Sequence, residues 1–359
     1  MMETQNRSKT LLEWLALDTL VAWVRDLEVS SHGLSWSRFC GSLSLVLVVL
    51  LFISGAFMAF YYSPAPGAAY DSVDYAQFNI PFGDVVRGVH YYAWNLLLVV
   101  VGLHLLRAFF VGGYKPPREM VWISGVLVML ILPAFIITGD LLPWDQKGYW
   151  STQVRNSIMS SVPVLGDFLV RMLQGGPRTG IVALTRFYVL HTIILPGLLL
   201  LFIAVHVHFL WYRGISGPLA GEEGDQQKKV PFVPNIVNRW LFLFLVVTVV
   251  LGLVSWYWPA PLGDPADPTD ATYVPNPEWW VLSLNQLVAI FKGPLTVIAT
   301  AIIPGGLVAL IMALPFIDRS PERHPARRKK TILIGAVIGS ILLALALMGY
   351  IEHHLTPLE

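Results

Sequence analysis

Long apolar runs separated by shorter polar segments dominate the hydrophobic pattern of this chain of 359 residues. A helix needs about 20 mainly apolar residues to cross a lipid bilayer. Seven runs approach or exceed that length: residues 41–62, 86–111, 121–138, 186–211, 240–258, 294–317 and 331–351. The pattern therefore predicts an all-α transmembrane fold with seven spanning helices.

The segments between these runs predict surface elements. Residues 10–28 have the spacing of an amphipathic helix lying on the membrane surface, and a short packing helix is the alternative. Residues 140–185 are too polar to span, so we expect short surface helices there, interrupted by Pro163, Gly175, Gly176 and Pro177. A loop rich in proline and aspartate at residues 259–277 precedes a short apolar segment at residues 278–291.

Composition supports a membrane protein and excludes other classes. Hydrophobic residues make up 55% of the chain and charged residues 13%, whereas soluble domains are about one quarter charged. The formal net charge of +1 provides no footprint for nucleic acid. The single cysteine, Cys40, excludes an intrachain disulfide. Residues 1–35 lack the apolar core of a signal peptide, so we expect the first spanning helix to direct insertion.

The distribution of basic residues predicts the orientation. If the helices alternate in direction, most Lys and Arg residues of the short loops fall on the side of the N-terminus, which is the cytoplasmic side. The exceptions lie in one long loop: Lys147, Arg155, Arg171 and Arg178. We therefore expect a multi-pass protein of a bacterial-type inner membrane, with its N-terminus inside and its C-terminus outside.

Two of the spanning runs carry paired histidines. His90 and His104 are 14 residues apart, and His191 and His206 are 15 apart. At about 100° and 1.5 Å per residue, the members of each pair face one side of their helix and lie about 21 to 22 Å apart along it. His208 is 17 residues from His191 and is turned away by about 100°.

These four histidines predict two hemes. A single histidine in a membrane helix is more often a packing residue, but four at matching depths need partners, and neutral imidazole is a standard ligand of heme iron. His90 and His191 would hold an outer heme iron. His104 and His206 would hold an inner one.

Glycines and arginines near the histidines are further candidates for cofactor binding. Two glycine pairs repeat the 14-residue spacing, where a macrocycle between helices requires positions without a β-carbon: Gly41 with Gly55, and Gly125 with Gly139. Lone glycines in membrane helices are ordinary packing residues. Arginines near helix ends suit heme propionates: Arg87, Arg107, Arg118 and Arg213. Arg87 is favoured for its place one turn before His90, whereas Arg118 and Arg213 equally suit membrane anchoring.

In combination these residues resemble the cytochrome b of quinol-oxidising bc and bf complexes, over about residues 35–350. The matching segments are Arg87-Gly-Val-His90, His104 with Arg107, Gly139 through Leu142-Pro143-Trp144-Asp145-Gln146 to Gly148-Tyr149-Trp150, Thr185-Arg186-Phe187-Tyr188 with His191-Thr192 and Pro196, Gly214-Ile-Ser-Gly217, and Pro277-Glu278-Trp279-Trp280. The 15-residue histidine spacing resembles the photosynthetic bf branch, in which the two halves are separate polypeptides. Here both halves lie in one chain, and the eighth helix of the mitochondrial type is absent.

The resemblance implies a four-helix heme-binding bundle followed by three further transmembrane helices. Its parts are an N-terminal surface amphipathic segment at residues 1–35, a di-heme domain at 36–218, a linker at 219–236, and a three-helix domain at 237–359 that carries the Pro-Glu-Trp-Trp loop.

The resemblance also implies a function, that of the electron-transfer subunit of a quinol:cytochrome c oxidoreductase or one with a similar acceptor. An outer-face quinol would give one electron to a Rieske iron–sulfur protein. The second would pass through two b hemes to a quinone at the inner face, and a proton-motive force would result. The implied partners are the Rieske protein, a c-type cytochrome or equivalent acceptor subunit, quinone and lipid, in a homodimeric complex.

An outer quinol site follows from the same resemblance. Glu278 would accept a proton or hydrogen bond from the quinol, because quinol oxidation releases two protons and needs a base. Taken alone, Glu278 would be a carboxylate favouring a helix N-terminus. The residues framing it would be Pro277, Trp279, Pro143, Tyr149 and Trp150.

Three residues depart from the family pattern. Trp280 replaces a tyrosine, and Asp140 replaces an aromatic residue, either as a second proton acceptor or as a solvated loop acid. Cys40 lies one residue from the point at which some relatives attach a third heme. One residue turns a side chain by about 100°, so a covalent heme and a buried inert thiol both stay open.

Two other functions fit parts of the pattern. One is a di-heme quinone-reactive membrane anchor that does not bifurcate electrons, although such an anchor needs no second quinone motif around Glu278. The other is a proton-coupled transporter with intramembrane histidines, which would contain no chromophore.

Overall fold

A computed structural model of the chain describes residues 16–30, 39–176, 178–214, 229–270 and 272–354. Residues 1–15 of the predicted surface segment and residues 219–228 of the predicted linker lie outside these ranges, as do the last three residues of the Gly214–Gly217 motif. The structure begins with α1 (Asp18–Asp26), β1 (Glu28–Ser30), α2 (Phe39–Tyr61), α3 (Ala69–Phe78), α4 (Gly83–Phe110), α5 (Glu119–Asp140), α6 (Gln146–Ser160), α7 (Gly166–Gln174), α8 (Ile181–Val189), a π-helical turn (Leu190–Ile194) and α9 (Leu195–Arg213).

The second half follows after the linker. It contains β2 (Lys229–Pro231), α10 (Phe232–Tyr257), a 3₁₀ turn (Trp279–Val281), α11 (Leu282–Ile290), a second 3₁₀ turn (Gly293–Leu295), a π-helical turn (Ile298–Ile302), α12 (Ile303–Ile317), a third 3₁₀ turn (Pro325–Arg327) and α13 (Lys329–His354).

Seven helical segments of the described chain are long and apolar enough to cross a membrane, which confirms the predicted number. They are Phe39–Tyr61, Gly83–Phe110, Glu119–Asp140, Ile181–Arg213, Phe232–Tyr257, Gly293–Ile317 and Lys329–His353. Each covers one predicted run to within one residue and extends beyond it at one or both ends. Such an extension costs little free energy, because the helix backbone keeps its internal hydrogen bonds where the side chains are polar.

The surface elements follow the sequence in part. The polar stretch after α5 forms the short helices α6 and α7, as predicted, but residues 181–185 already belong to the fourth span. Within residues 10–28, Asp18–Asp26 is helical and Trp23 is 59% exposed. The fold also contains a two-stranded antiparallel sheet that pairs Glu28–Ser30 with Lys229–Pro231. The helical pattern did not predict it, because three-residue strands are too short to show alternation.

The four helices of the first half pack in two couples. Helix α4 packs chiefly against α2, and α9 against α5, while α10 from the second half also covers α4. Buried apolar side chains of α2, α4, α5, α9 and α10 form the main core, which contains Leu47, Ala93, Leu132, Leu199 and Leu251. Each histidine helix therefore lies against one of the helices with a 14-residue glycine pair.

A buried polar cluster joins the two halves at one end of the bundle, here called the Asp318 end. Lys115, which is 2% exposed, donates to Oδ1 of Asp318 at 2.7 Å, and the Tyr114 hydroxyl donates to Oδ2 at 2.5 Å. Arg328 donates to the Tyr114 oxygen at 2.7 Å. Burial would raise the pKa of Asp318, but hydrogen bonds from Lys115, Tyr114 and Ser320 outweigh it and lower the pKa to about 2. The carboxylate therefore stays charged and holds the α12–α13 connection against the α4–α5 connection.

Candidate heme and quinol site

The first histidine pair is brought together between α4 and the π-helical turn. The ring centroids of His90 and His191 are 6.3 Å apart. A metal ion bound at about 2 Å from one nitrogen of each ring separates the two centroids by roughly 6 Å. The pair therefore has the spacing that ligation of one iron by two imidazoles requires.

Side-chain hydroxyls and a carbonyl orient these two imidazoles. Ser54 donates its hydroxyl proton to the carbonyl of Leu50 at 2.7 Å, so its oxygen accepts from Nδ1 of His90 at 3.0 Å. Nδ1 of His191 lies 3.1 Å from the carbonyl oxygen of Phe135, which can only accept. In both rings the proton is held on Nδ1, which leaves the Nε2 lone pair for a metal.

In the second pair, His206 has an oxygen beside Nδ1 and His104 has none in the described chain. Ser124 donates to the carbonyl of Met120 at 2.7 Å, and its oxygen lies 3.1 Å from Nδ1 of His206. By contrast, Nδ1 of His104 is buried and has no hydrogen-bond partner within the part of the chain that the structure describes. His104 and His206 are close enough to interact electrostatically.

The four paired glycines lie against the four histidines. A β-carbon at Gly139 would be 2.7 Å from Cε1 of His191, and at Gly125 it would be 3.1 Å from Cε1 of His206. The corresponding distances are 3.2 Å from Gly55 to His90 and 3.5 Å from Gly41 to His104. The sequence predicts a macrocycle edge at these positions, and that role stays a prediction. In the structure the four glycines leave room for the imidazoles.

These residues fit heme b. Two imidazole pairs lie in an apolar helical bundle, three of the four rings have an oxygen at Nδ1, and glycines clear the space on which the rings depend. His90 with His191 would hold one heme, and His104 with His206 the other. Among the described residues, no group of three or more His, Cys, Asp or Glu side chains suits a metal ion.

Glu278 lies at the opposite end of the bundle from Asp318, here called the Glu278 end. It directly precedes the Trp279–Val281 turn, and its carboxylate accepts a hydrogen bond from the ammonium of Lys147. Trp279 donates its indole N–H to Asn95 at 2.8 Å and lines a groove of about 350 Å³, whose other lining residues are Tyr92, Leu96, Val99, Leu251 and Val254. An apolar groove therefore opens close to a partly buried carboxylate.

The segment from Pro143 to Trp150 is fastened to the loop after α10. The Asp145 side chain accepts from the backbone N–H of Gly148 at 2.8 Å and of Gly263 at 3.1 Å. Tyr149 is 2% exposed, and Trp150 donates to Gln146 at 3.1 Å. These contacts hold the segment in place, and Lys147 links it directly to Glu278. Asp140 is also paired, with Arg155 at 2.8 Å, so it is not a free loop acid.

The candidate arginines have protein partners. Arg87 donates to Gln77 at 2.5 Å, to the carbonyl of Ala260 at 2.8 Å and to that of Pro261 at 2.7 Å. These bonds engage both terminal nitrogens of Arg87 and anchor the loop after α10. Binding of a heme propionate by Arg87 stays a prediction. The others lie near the Asp318 end: Arg107 near Cys40, Arg118 bonded to the carbonyl of Gly214, and Arg213 stacked on Tyr212.

Two features of the site escaped the sequence argument. One is the Lys147–Glu278 pair. The other is the set of hydroxyls at Nδ1, from Ser54, Ser124 and Thr138. The sequence could have indicated these hydroxyl residues, since each one directly precedes a paired glycine. Cys40 occupies the fourth such position, before Gly41.

Comparison with known proteins gives a consistent result. Residues 95–265 match the family model described as "Cytochrome b(N-terminal)/b6/petB". The chain is 32% identical over 342 residues to a "Cytochrome bc complex cytochrome b subunit" from Chlorobaculum thiosulfatiphilum, covering 93% of this chain and 77% of the relative.

One of two further matches covers half of the chain, and the other covers nearly all of it. Cytochrome b6 of Prochlorococcus marinus (strain NATL1A) is 42% identical over 179 residues, which are 50% of this chain and 82% of the relative. A solved structure, "Hyperthermophilic respiratory Complex III", superposes with a TM-score of 0.80 at 27% identity, covering 94% of this chain and 91% of that one. Sequence, fold and histidine geometry agree, and the chain belongs to the cytochrome b/b6 family.

Proposed function

We propose that this chain is the membrane electron-transfer subunit of a quinol-oxidising complex of the bc or b6f type. Quinol oxidation is bifurcated at the Glu278 end, next to a Rieske iron–sulfur partner, and a quinone is reduced at the Asp318 end. The observation that carries the proposal is a partly buried carboxylate, Glu278, at the same end of the bundle as the His90–His191 pair. The names of the two proteins that match 93% and 94% of this chain support membership of such a complex.

The chain's own residues supply orientation and a proton acceptor. When bound, two b hemes supply one-electron carriers at two depths of the membrane. Ser54, Ser124 and Thr138 hold the proton of their histidines on Nδ1, so that Nε2 stays free for iron. Glu278, whose side chain is 17% exposed, accepts a proton from the quinol hydroxyl in a site that largely excludes water. The apolar groove beside Trp279 suits a hydrocarbon-soluble substrate.

The proposal includes an orientation and a set of partners. The Glu278 end faces the outside of a bacterial-type inner membrane, and the basic Asp318 end faces the cytoplasm. Protons released by quinol oxidation then leave outside, and quinone reduction takes protons up inside, which generates a proton-motive force. The complex contains a c-type cytochrome or equivalent acceptor and is a homodimer.

Replacing Glu278 with glutamine tests this function. Glutamine keeps the shape but cannot take up a proton, so we expect kcat for oxidation of a short-chain quinol analogue to fall about 10²-fold. Heme content, read from the reduced-minus-oxidised spectrum, should not change. The matched control is Glu322→Gln, because Glu322 is 44% exposed and pairs with Arg327 far from the site.

Bifurcation can be tested separately in the complex without substitutions, here called the parent complex. An added high-potential oxidant removes the first electron of the quinol, so it should increase b-heme reduction by quinol. A non-bifurcating anchor would instead show heme oxidation. Absence of a co-purifying iron–sulfur protein together with heme oxidation would contradict the proposal, and absence of any b-type spectrum would favour the transporter.

We also propose that Cys40 stays a free thiol rather than holding a third heme. It is half-buried, packs against the main core, and directly precedes Gly41, as Ser54, Ser124 and Thr138 directly precede the other paired glycines. Heme staining of the denatured chain should therefore show no covalent heme. A stained band that disappears in a Cys40→Ala variant would contradict this expectation.

A further inference from the structure

An ion pair links the two segments that frame the proposed quinol site. Lys147 lies in the first turn of α6, and its ammonium donates to Oε1 of Glu278, which is 131 positions away in sequence. The two side chains are 34% and 17% exposed. The inference drawn from this pair rests on the proposed function, since it assigns a positioning residue to the proton acceptor of that site.

The Lys147–Glu278 pair lies within a wider set of charges. Asp140 interacts electrostatically with Lys147 while it is bonded to Arg155 at 2.8 Å. Two acids and two bases therefore lie together and balance one another. Among the described residues, Tyr91 of α4 also interacts with Glu278, Lys147 and Asp140, and Tyr273 of the loop after α10 interacts with Lys147.

Lys147 stays protonated in this setting. Burial by itself lowers the pKa of Lys147, but the charge of Glu278, its hydrogen bond and the charge of Asp140 outweigh burial and raise the pKa above its ordinary value. The ammonium is therefore a fixed cation and not a proton carrier. What changes when a proton arrives is the charge of its partner.

We propose that Lys147 is a positioning residue that holds the Glu278 carboxylate in its charged, proton-accepting state and releases it once it is protonated. The ion pair exists only while Glu278 is ionised. Protonation of Glu278 removes the attraction and leaves Asp140, which also pairs with Arg155, as the one charged acid of this set. Protonation of Glu278 thus breaks its ion pair with Lys147 and allows the Glu278 side chain to move.

The step itself is an acid–base transfer. The O–H bond of the quinol hydroxyl breaks, a new O–H bond forms on a carboxylate oxygen of Glu278, and the quinol keeps the electron pair as its anion. No electron is transferred in this step. The negative charge moves from Glu278 to the substrate, so the cation of Lys147 loses its partner within the site.

The test is the pH dependence of quinol oxidation in the intact purified complex, with a short-chain quinol analogue as the substrate. In Lys147→Met the acid limb of the kcat/KM profile should move to higher pH, with about a tenfold loss at pH 6 and at most about a twofold change at pH 9. Lys147→Arg keeps the charge and should restore the parent profile. Lys292→Met is the matched control, because Lys292 is exposed and has no ion pair within the described ranges.

Three outcomes would overturn the proposal. The first is an acid limb that does not move in Lys147→Met. The second is an equal loss at every pH that arginine does not reverse, which would indicate a structural role. The third is a shift that persists in the Glu278→Gln background, since a residue acting through Glu278 can have no pH effect once that carboxyl group is gone.

An infrared titration separates this proposal from the function on which it rests. In the purified complex without quinol, the carboxyl C=O band that is present in the parent and absent from Glu278→Gln belongs to Glu278. In Lys147→Met this band should appear at higher pH than in the parent, and appearance at the same pH overturns the proposal. Failure of the parent to oxidise quinol would contradict the proposed function while leaving this measurement intact.

Discussion

His206→Asn is expected to leave one b heme per chain in place of two and to reduce quinone-coupled turnover to the background rate. His206 faces His104 within the bundle, and Ser124 holds its proton on Nδ1. Asparagine provides no imidazole nitrogen, so the inner iron would keep a single protein ligand. The measurement is heme per chain from the reduced-minus-oxidised spectrum, with protein determined separately.

His208→Asn is the matched control for this prediction. His208 is two residues further along α9, about 200° around the helix. It is exposed and lines a cavity of about 490 Å³ with Glu119 and Arg213, away from the histidine pairs. This variant should keep both hemes and full turnover. Loss of a heme in His208→Asn, with both retained in His206→Asn, would reverse the ligand assignment.

Alanine at Gly139 is expected to remove the outer heme and to abolish quinol oxidation. Its β-carbon would lie 2.7 Å from Cε1 of His191, closer than β-carbons come to other atoms in proteins, so the imidazole must shift. Iron ligation tolerates little displacement, because both imidazoles must reach the same metal ion. Heme content and the spectrum of the remaining heme give the result.

The other glycines predict a graded response. The β-carbon distances of 3.1 Å at Gly125, 3.2 Å at Gly55 and 3.5 Å at Gly41 predict decreasing heme loss in that order, with both hemes kept in Gly41→Ala. Gly102→Ala on α4 is the control, since within the described chain the new β-carbon would have no atom within 4 Å other than those of its own helix backbone and chain neighbours. Greater heme loss in Gly41→Ala than in Gly139→Ala would show that contact with the imidazole does not decide heme binding.

The structure brings His90 to 6.3 Å from His191 and His104 close to His206, as the spacing predicts, and the reason is physical. A 14- or 15-residue spacing within one helix determines both the facing direction and the separation of two side chains. The same reasoning placed Gly41, Gly55, Gly125 and Gly139 at ligand depth, and the structure brings each against its histidine. The macrocycle edge that these glycines were expected to accommodate stays a prediction, because periodicity gives the face of a helix but not the atom that meets it.

Arg87 and Asp140 show where the sequence argument ends. The sequence makes both residues candidates for ligand or proton chemistry, and the structure adds protein partners: Arg87 donates to the Ala260 and Pro261 carbonyls, and Asp140 pairs with Arg155. Their partners lie on other elements, at distances that only folding determines. A charged residue near a helix end therefore identifies a candidate, and its partner decides the role.

The sequence alone determined the membrane fold, the seven spans and the four histidines, because apolar length and helical periodicity are local properties of the chain. Only the tertiary structure decided which groups meet. Thr138 reaches His191 across 53 positions, and Lys147 reaches Glu278 across 131. Such contacts depend on how helices pack and loops close. The positions proposed to hold the metal could thus be read from the chain, whereas the partner proposed to control the proton at Glu278 required the fold.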